Sequence, residues 1–269
     1  MACTLVCSKL GIKVVHVEAG LRSFDRTMPE EVNRIVTDAL ADLLLTPSAD
    51  ADDNLKREGI PADKISLVGN VMIDTLVANL AKVRQNPILQ ELGLAKKSFA
   101  YVTLHRPSNV DCRESLSAII SELKSLAAKL PVVFPIHPRT RQRLTDFGLC
   151  SSISSPVVSS PVVSSSLLLL DPIGYLDSLA LTRAARLVLT DSGGLQEEST
   201  FFRTPCLTLR PNTERPVTVT LGTNRLTDAQ RLSADIDQVL SGAVETGQVP
   251  PFWDGCASER IINALTQRS

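Results

Sequence analysis

Short continuous apolar runs alternate with longer amphipathic segments along the chain, and this alternation limits the folds that it can adopt. Strands that are apolar without interruption are buried on both faces, as in parallel sheets covered by helices. The predicted strands are 13–17, 42–46, 65–68, 99–104, 131–136, 167–170, 186–190 and 205–209. The predicted helices lie near 30–41, 49–58, 72–84, 113–129, 138–147, 175–184, 194–203, 233–241 and 257–266. The sequence therefore predicts an α/β fold with a mostly parallel sheet.

Composition and charge exclude several classes of protein. The 269 residues suffice for one large domain or two ordinary ones, and the formal net charge is -1. A nearly neutral chain lacks the electrostatic attraction that holds proteins to nucleic acid or to anionic membranes. No apolar run approaches the ~20 residues of a membrane-spanning helix. The six cysteines include no CxxC pair, so we expect reduced cysteines in a cytoplasmic protein.

The alternation pauses near 85–98, which indicates a domain boundary. Three predicted strands precede it and five follow it, so the N-terminal sheet is expected to be incomplete. A serine-rich segment at 150–166 contains a tandem "SSPVV" repeat. Serine and proline favour a loop there, and we expect a flexible insertion.

Polar and charged residues follow most of the predicted strands. In open parallel sheets the ligand crevice lies outside the carboxyl ends of the strands. We therefore expect these residues to line one edge of the protein, with arginines suited to bidentate contacts with a diphosphate. They are Glu18, His105, Arg106, His137, Arg139, the segment "DSGGLQEE" at 191–198, Arg210, Glu214 and Arg215.

The segment "TDSGGLQEES", residues 190–199, leads from a predicted strand into a predicted helix. Ser192 is a favourable N-cap, Gly193 and Gly194 let a ligand approach the backbone, and free helix N–H groups attract an anion. The predicted helix carries Glu197 and Glu198, and a carboxylate one to two turns in could hold ribose hydroxyls. The alternative is a tight strand–helix turn with solvated glutamates.

The segment "TMPEEVNR", residues 27–34, has two interpretations. Thr27 and Glu30 have the spacing of a capping box, which explains Glu30 without any function. The functional interpretation places Glu30 opposite Glu18. Two carboxylates in one pocket have pKa values that are pushed apart, which suits acid and base catalysis.

The three histidines each follow an apolar run. His105, beside Arg106, could position or protonate a leaving phosphate, whereas His137 could simply be a turn residue before Pro138. Because the histidines belong to separate strands, no metal site is predicted.

Several motifs resemble those of one family and appear in the same order. They are "HVEAGLRS", "MPEEVNR", "VGNVMIDTL", "TLHRPSNVD", "LLDPIGYLDSLAL", "LVLTDSGGLQEES" and "TERPVTVTLGTNRL". Together they resemble the non-hydrolysing UDP-N-acetylglucosamine 2-epimerases. The resemblance implies two Rossmann-like domains of the glycosyltransferase-B type. The expected limits are 1–88 for a partial N-terminal domain and 89–269 for a UDP-binding C-terminal domain, whose final helix packs back on the N-terminal one.

The resemblance also implies a reaction. Family enzymes invert C2 of the sugar in UDP-GlcNAc to give UDP-ManNAc, a precursor of surface polysaccharides, by eliminating UDP and adding it back. It implies a UDP-sugar substrate, no cofactor, and a homodimer. The alternatives are a catalytically inactive UDP-binding module and a hydrolysing epimerase that releases ManNAc and UDP.

Roles can be carried over only to matching positions. Glu18 and Glu30 match the acid and base carboxylates, His105 a catalytic-pocket histidine, and Arg106 a phosphate partner. The remaining matches are the nucleotide-binding residues Ser192, Gly193, Gly194 and Glu198, the diphosphate- or activator-site residue Arg215, and the uridine-pocket residue His137.

Two departures stand out. Family members carry about another hundred residues before "HVEAG", by the usual size of such a domain; these hold a "GTRPE"-type phosphate loop and a catalytic aspartate. The chain is therefore expected to be truncated at its N-terminus, with doubtful activity. Ser108 also replaces a glutamate that usually follows "HRP".

Overall fold

In the computed structural model the chain forms two compact units, and the structure describes residues 1–149, 167–243 and 247–267. Unit 1 comprises Met1–Ala78, Asn212–Leu221 and Val249–Ser269, and unit 2 comprises Asn79–Pro211 and Gly222–Gln248. The serine-rich segment 150–166 lies outside the described residues, so the insertion stays a prediction, as do the limits of the domains.

The structure contains nine strands in its described part. They are β1 (Val15–Val17), β2 (Leu43–Thr46), β3 (Ile65–Leu67), β4 (Ala100–Thr103), β5 (Val132–Pro135), β6 (Leu167–Leu170), β7 (Leu187–Thr190), β8 (Cys206–Leu209) and β9 (Asn224–Thr227).

Helices lie between the strands along the described part of the chain. They are α1 (Ala2–Leu10), α2 (Pro29–Leu40), α3 (Ala49–Arg57), α4 (Val71–Arg84), α5 (Ile88–Glu91), α6 (Pro107–Val110), α7 (Arg113–Ala127), α8 (Pro138–Asp146), α9 (Tyr175–Ala184), α10 (Gly193–Phe201), α11 (Val217–Thr220), α12 (Leu232–Leu240) and α13 (Ala257–Thr266), with a short 3₁₀ turn at Ala62–Lys64. None of the described helices is long and apolar enough to cross a membrane.

Unit 1 is built on a parallel three-stranded sheet in the order β1-β2-β3. The central strand β2 is buried at every position because its leucines face helices on both sides of the sheet. Leu44 packs with Ala19, Ala41 and Leu55, while Leu43 and Leu45 pack with residues of α13, namely Ile261, Ala264 and Leu265. The Trp253 indole N–H also donates to the Pro47 carbonyl at 3.3 Å. The C-terminal segment thus completes the core of this unit.

Unit 2 is built on a six-stranded sheet in the order β6-β5-β4-β7-β8-β9, and each described pair of neighbours is parallel. The chain adds strands to one side of β4 first, then crosses to the other side at β7. The sheet therefore has a topological switch point at the carboxyl ends of β4 and β7, where ligands bind in open α/β sheets.

The predicted α/β fold with parallel sheets is confirmed, and a described strand lies within each of the eight predicted ones. Strand β9 was missed because its sequence, "NRLT", has a single large apolar residue and lies at the sheet edge. Edge strands need no continuous apolar run, since only one neighbour pairs with them.

Candidate active site

The turns after β4 and β7 meet at the switch point of unit 2. The two strands are in register from Ala100 opposite Leu187 to Thr103 opposite Thr190, and the hydroxyls of Thr103 and Thr190 are 2.7 Å apart. Because the strands end together, His105 and Asp191 emerge at the same edge of the sheet. The side chain of Asp191 then joins the two turns.

Asp191 is fully buried and accepts several hydrogen bonds from the β4 turn. The backbone N–H groups of His105 and Arg106 donate to it at 3.0 and 2.8 Å, and the Asn109 amide donates at 3.0 Å. Burial by itself would raise the pKa of Asp191, but the hydrogen bonds from His105, Asn109 and Arg106 outweigh it and hold that pKa below its usual value. Asp191 therefore holds the β4 turn in place from the end of β7.

Asp191 also fixes the imidazole of His105. Its Oδ1 lies 2.8 Å from His105 Nδ1, while the histidine side chain is 40% exposed. An Nδ1–H donated to a carboxylate sets the tautomer, so the accessible Nε2 is the basic nitrogen of neutral His105. The geometry is that of an imidazole oriented for proton exchange or for a charged ligand.

His137 lies next to His105, with ring centroids 5.5 Å apart and planes tilted by 40°. It is the N-cap of α8, because its Nδ1 accepts the Arg139 backbone N–H at 3.2 Å. This local role agrees with the alternative of a turn residue before Pro138, and it leaves the Nε2 of this exposed ring unused by the cap. Arg106, half-buried, precedes α6 as its N-cap residue.

The turn "DSGG" leads directly from β7 into α10. Ser192 occupies the N-cap position, but its side chain makes no capping hydrogen bond; its backbone N–H donates to Thr190 Oγ1 at 2.9 Å. Ser192 therefore occupies the predicted N-cap position, but the predicted hydrogen bond between its side chain and the helix is wrong. A Cβ on Gly194 would meet no atom within 4 Å, so open space adjoins the first turn. An uncapped helix N-terminus of this kind can attract an anion.

Glu198 lies on α10, beyond the glycines. Burial, together with the charge of neighbouring Glu197, raises its pKa to about 8. Glu197 itself is buried. Glu198 is thus largely protonated at neutral pH and can both donate and accept hydrogen bonds.

Substituting Glu198→Gln should stabilise the free protein at pH 8 by roughly 2 kcal/mol, because a shift of one pKa unit corresponds to ~1.4 kcal/mol and partial exposure reduces the full effect. The folded state holds a proton that the unfolded state has lost, so wild-type stability falls as pH rises from about 4.5 to 8. The gain should therefore vanish near pH 4. Urea unfolding at the two pH values measures it, and Glu91→Gln, which neutralises an exposed glutamate, controls for net charge. Equal stability of variant and wild type at pH 8 would show that burial does not disfavour the charged form of Glu198.

Glu18 follows β1 directly and has an unusual backbone conformation. Its φ is +63°, in the left-handed region that glutamate rarely adopts. The side chain is half-buried, and the structure assigns it no hydrogen bond or ion pair with any described residue. A strained residue with an unpaired carboxylate at the end of a strand suggests a functional constraint.

Glu30 and Glu31 at the start of α2 differ in their burial and in their hydrogen bonds. The predicted capping box is wrong, because the N-cap is Met28 and Thr27 Oγ1 instead donates to Asp25 at 2.6 Å. Glu31 is buried and accepts from the Ser23 and Phe24 backbone N–H groups, both at 2.9 Å. Glu30 is exposed, and its carboxylate has no hydrogen bond or ion pair with a described residue. The first turn thus has one structural carboxylate and one available carboxylate.

Arg215 lies in unit 1, next to α11. Its guanidinium is 16% exposed and forms an ion pair with Glu214, and its backbone N–H donates to Thr213 Oγ1 at 3.1 Å. Of the candidate residues, unit 1 contains Glu18, Glu30 and Arg215, and unit 2 contains His105, Arg106, His137, Ser192, Gly193, Gly194 and Glu198.

Two carboxylates that organise these turns, Glu31 and Asp38, were missed from the sequence, and Asp191 was predicted at this edge but without a role. Asp38 on α2 is fully buried, and its contacts are to His16, Gly20 and Arg22. A usable signal was present for Asp38 and Glu31, since both are acidic residues on the inner face of an amphipathic helix, where charge is rare unless it is paired.

Comparison with known proteins identifies relatives of the whole chain. The family model described as UDP-N-acetylglucosamine 2-epimerase matches residues 1–266. A Pseudomonas aeruginosa protein named UDP-2,3-diacetamido-2,3-dideoxy-D-glucuronate 2-epimerase is 42% identical, over 99% of this chain and 72% of its own length.

Solved structures of UDP-GlcNAc 2-epimerases are also similar to this chain. The UDP-GlcNAc 2-epimerase of Methanocaldococcus jannaschii, in complex with UDP-GlcNAc and UDP, is 40% identical with a TM-score of 0.84, over 99% of this chain and 72% of that one. The Neisseria meningitidis enzyme bound to UDP-GlcNAc is 30% identical with a TM-score of 0.83, over 99% and 73%. These matches confirm the predicted glycosyltransferase-B-like fold class.

Proposed function

This chain belongs to the UDP-N-acetylglucosamine 2-epimerase family, a family of isomerases, and from that premise we propose that it interconverts UDP-GlcNAc and UDP-ManNAc without net hydrolysis. The observation that carries the proposal is the pair of turns at the switch point of unit 2. There Asp191 orients His105 beside the uncapped N-terminus of α10. Both are features that a nucleoside diphosphate can use.

Unit 2 is proposed to bind the UDP group. The backbone N–H groups at Ser192, Gly193 and Gly194 receive phosphate oxygens, and Arg106 adds a positive charge. Glu198 takes the ribose hydroxyls, which a protonated or ionised carboxyl can hold. His137 uses Nδ1 to cap α8, and it contacts the uridine through the edge of the ring that carries Nε2. His105 stabilises the diphosphate as negative charge develops on it.

Unit 1 is proposed to move the protons. One carboxylate of the pair Glu18 and Glu30 removes the proton from C2, the electron pair forms the C1=C2 bond, and UDP leaves with the electrons of the C1–O bond. The other carboxylic acid then returns a proton to C2 from the opposite face while UDP attacks C1 again. Arg215 contributes positive charge to the diphosphate. Neither glutamate is tied to a described protein partner, which supports this use.

The proposal is tested by incubating the chain with UDP-GlcNAc in D₂O and following C2 of the sugar by NMR. Epimerisation predicts deuterium at C2, UDP-ManNAc as product, and slow leakage of free UDP. Stoichiometric ManNAc and UDP would instead identify a hydrolysing epimerase. UDP binding by calorimetry without any exchange would identify a catalytically inactive UDP-binding module.

A second sugar substrate is favoured by one observation. The Pseudomonas aeruginosa relative, 42% identical, is named for a UDP-linked diacetamido uronate. The bond changes at C1 and C2 are the same, so the alternative differs only in substituents at other carbons. Comparing kcat/KM for the two UDP-sugars distinguishes them. A homodimer and a role in surface polysaccharide synthesis stay predictions from the family resemblance, and a cytoplasmic location stays a prediction from the cysteines.

A further inference from the structure

The buried carboxylate of Asp38 contacts the chain on both sides of Glu18. Its Oδ1 lies 2.5 Å from His16 Nδ1, two residues before Glu18. Its Oδ2 accepts the Gly20 backbone N–H at 3.1 Å, two residues after Glu18, and lies 2.7 Å from Arg22 Nη1. One side chain of α2 therefore ties the end of β1 to the turn that follows it.

The turn needs such support because Glu18 has a positive φ of +63°. A non-glycine residue stays in that region only when its surroundings hold it there. Two other contacts contribute: the Ala19 N–H donates to the Leu45 carbonyl at 3.1 Å, and the Asn54 amide donates to the Gly20 carbonyl at 2.9 Å. The Leu45 carbonyl and the Asn54 amide are neutral groups, whereas Asp38 contributes a carboxylate.

Arg22 anchors Asp38 in turn. Its guanidinium is only 1% exposed, and it binds Glu58 at the end of α3 through two nitrogens, each at 2.7 Å. Charge-assisted hydrogen bonds are shorter and stronger than neutral ones, and the bidentate pair adds geometric specificity. The turn is thereby connected to both α2 and α3.

We propose that Asp38 is a positioning residue for the carboxylate of Glu18, which it holds in the conformation needed for proton transfer at C2 of the sugar. This inference rests on the proposed function. Asp38 lies in the core and acts through the backbone of the turn rather than on the substrate. Loss of its charge lets Glu18 relax toward negative φ, which redirects the side chain away from the reacting carbon.

The test is Asp38→Asn in the full chain, with two readouts. The kcat for C2 epimerisation should fall about 10- to 100-fold, the effect expected when a reacting group is displaced by about 1 Å, with KM changing less than about 3-fold. In NMR hydrogen exchange, the Gly20 amide should lose protection by at least about 10-fold, as expected for an amide that opens locally. The amides of β2 should keep their protection.

The matched control is Asp42→Asn. Asp42 also accepts a backbone N–H, that of Val14 at 2.8 Å, but at the opposite end of β1. It should leave both kcat and Gly20 exchange unchanged. Unchanged Gly20 protection in Asp38→Asn would overturn the inference, and so would faster Gly20 exchange with wild-type kcat. If the wild-type chain itself fails to exchange C2, the proposed function falls, whereas Gly20 exchange still decides whether Asp38 holds the turn.

Discussion

Glu18→Gln is expected to lower the rate of C2 deuterium incorporation by about 10²- to 10⁴-fold, the usual contribution of a positioned acid or base. The substitution keeps the shape of the side chain and removes its ability to accept the proton. Both residues face the same backbone cost at a φ of +63°, so the fold should be unaffected. The loss should appear in kcat, measured by NMR in D₂O with saturating UDP-GlcNAc.

UDP affinity distinguishes this effect from a damaged binding site. Because the residues proposed to bind UDP, apart from Arg215, are in unit 2 whereas Glu18 is in unit 1, calorimetry should give Kd values for UDP within about 3-fold of wild type, a difference of about 0.7 kcal/mol at most. Glu91→Gln, on the exposed surface of α5, should retain full turnover. A Glu18→Gln variant with a near-normal rate would remove Glu18 from the mechanism.

Gly20→Ala is expected to cost about 3–5 kcal/mol in the free energy of unfolding, a large part of the stability of an ordinary domain. Gly20 has a φ of +80°, and a Cβ built there would lie 2.4 Å from the Ala51 carbonyl oxygen. That neighbour is backbone and cannot rotate away. The methyl group would therefore separate the turn after Glu18 from α3.

Gly59→Ala is the control that separates the clash with Ala51 from the energetic cost of a left-handed backbone conformation. Gly59 has a φ of +85°, yet a Cβ there would meet no atom within 4 Å. Only backbone strain of about 1–2 kcal/mol is then expected. The free energies of unfolding of the two variants, measured in urea, should differ by about 1–4 kcal/mol. Equal losses would show that the close approach of α3 to Gly20 does not constrain the turn.

Positions of the strands were predictable because the relevant signal is local. Strand β2 reads "LLLT", and all four positions are buried; such a run can be recognised without knowing its neighbours. The same holds for the strand–turn–helix unit at "LVLTDSGG". Strand β9 escaped this reasoning, since its stability comes from pairing with β8 rather than from its own composition.

Candidate site residues were predictable for a related reason. Glu18, His105 and Ser192 each lie within two residues of the end of a strand, and the carboxyl ends of parallel strands share one edge of a sheet. The family motifs then suggested a role for each. Side-chain hydrogen bonds at the helix ends were harder to predict from the sequence. Thr27 has the spacing of a capping residue but donates to Asp25, and Ser192 occupies an N-cap position without making the capping hydrogen bond.

By itself the sequence determined the α/β class, the order of the elements and the chemical character of the strand ends, because apolar periodicity and strand-end polarity are properties of neighbouring residues. Only the tertiary structure decided which carboxylates are structural and which are available. Asp191 meets the backbone of His105 across 86 residues of chain, and Asp38 meets Gly20 across 18. A local pattern can mark a buried carboxylate, as it does for Asp38, but the donors that pair with such a carboxylate are brought by folding from other segments, and so the pattern does not identify them.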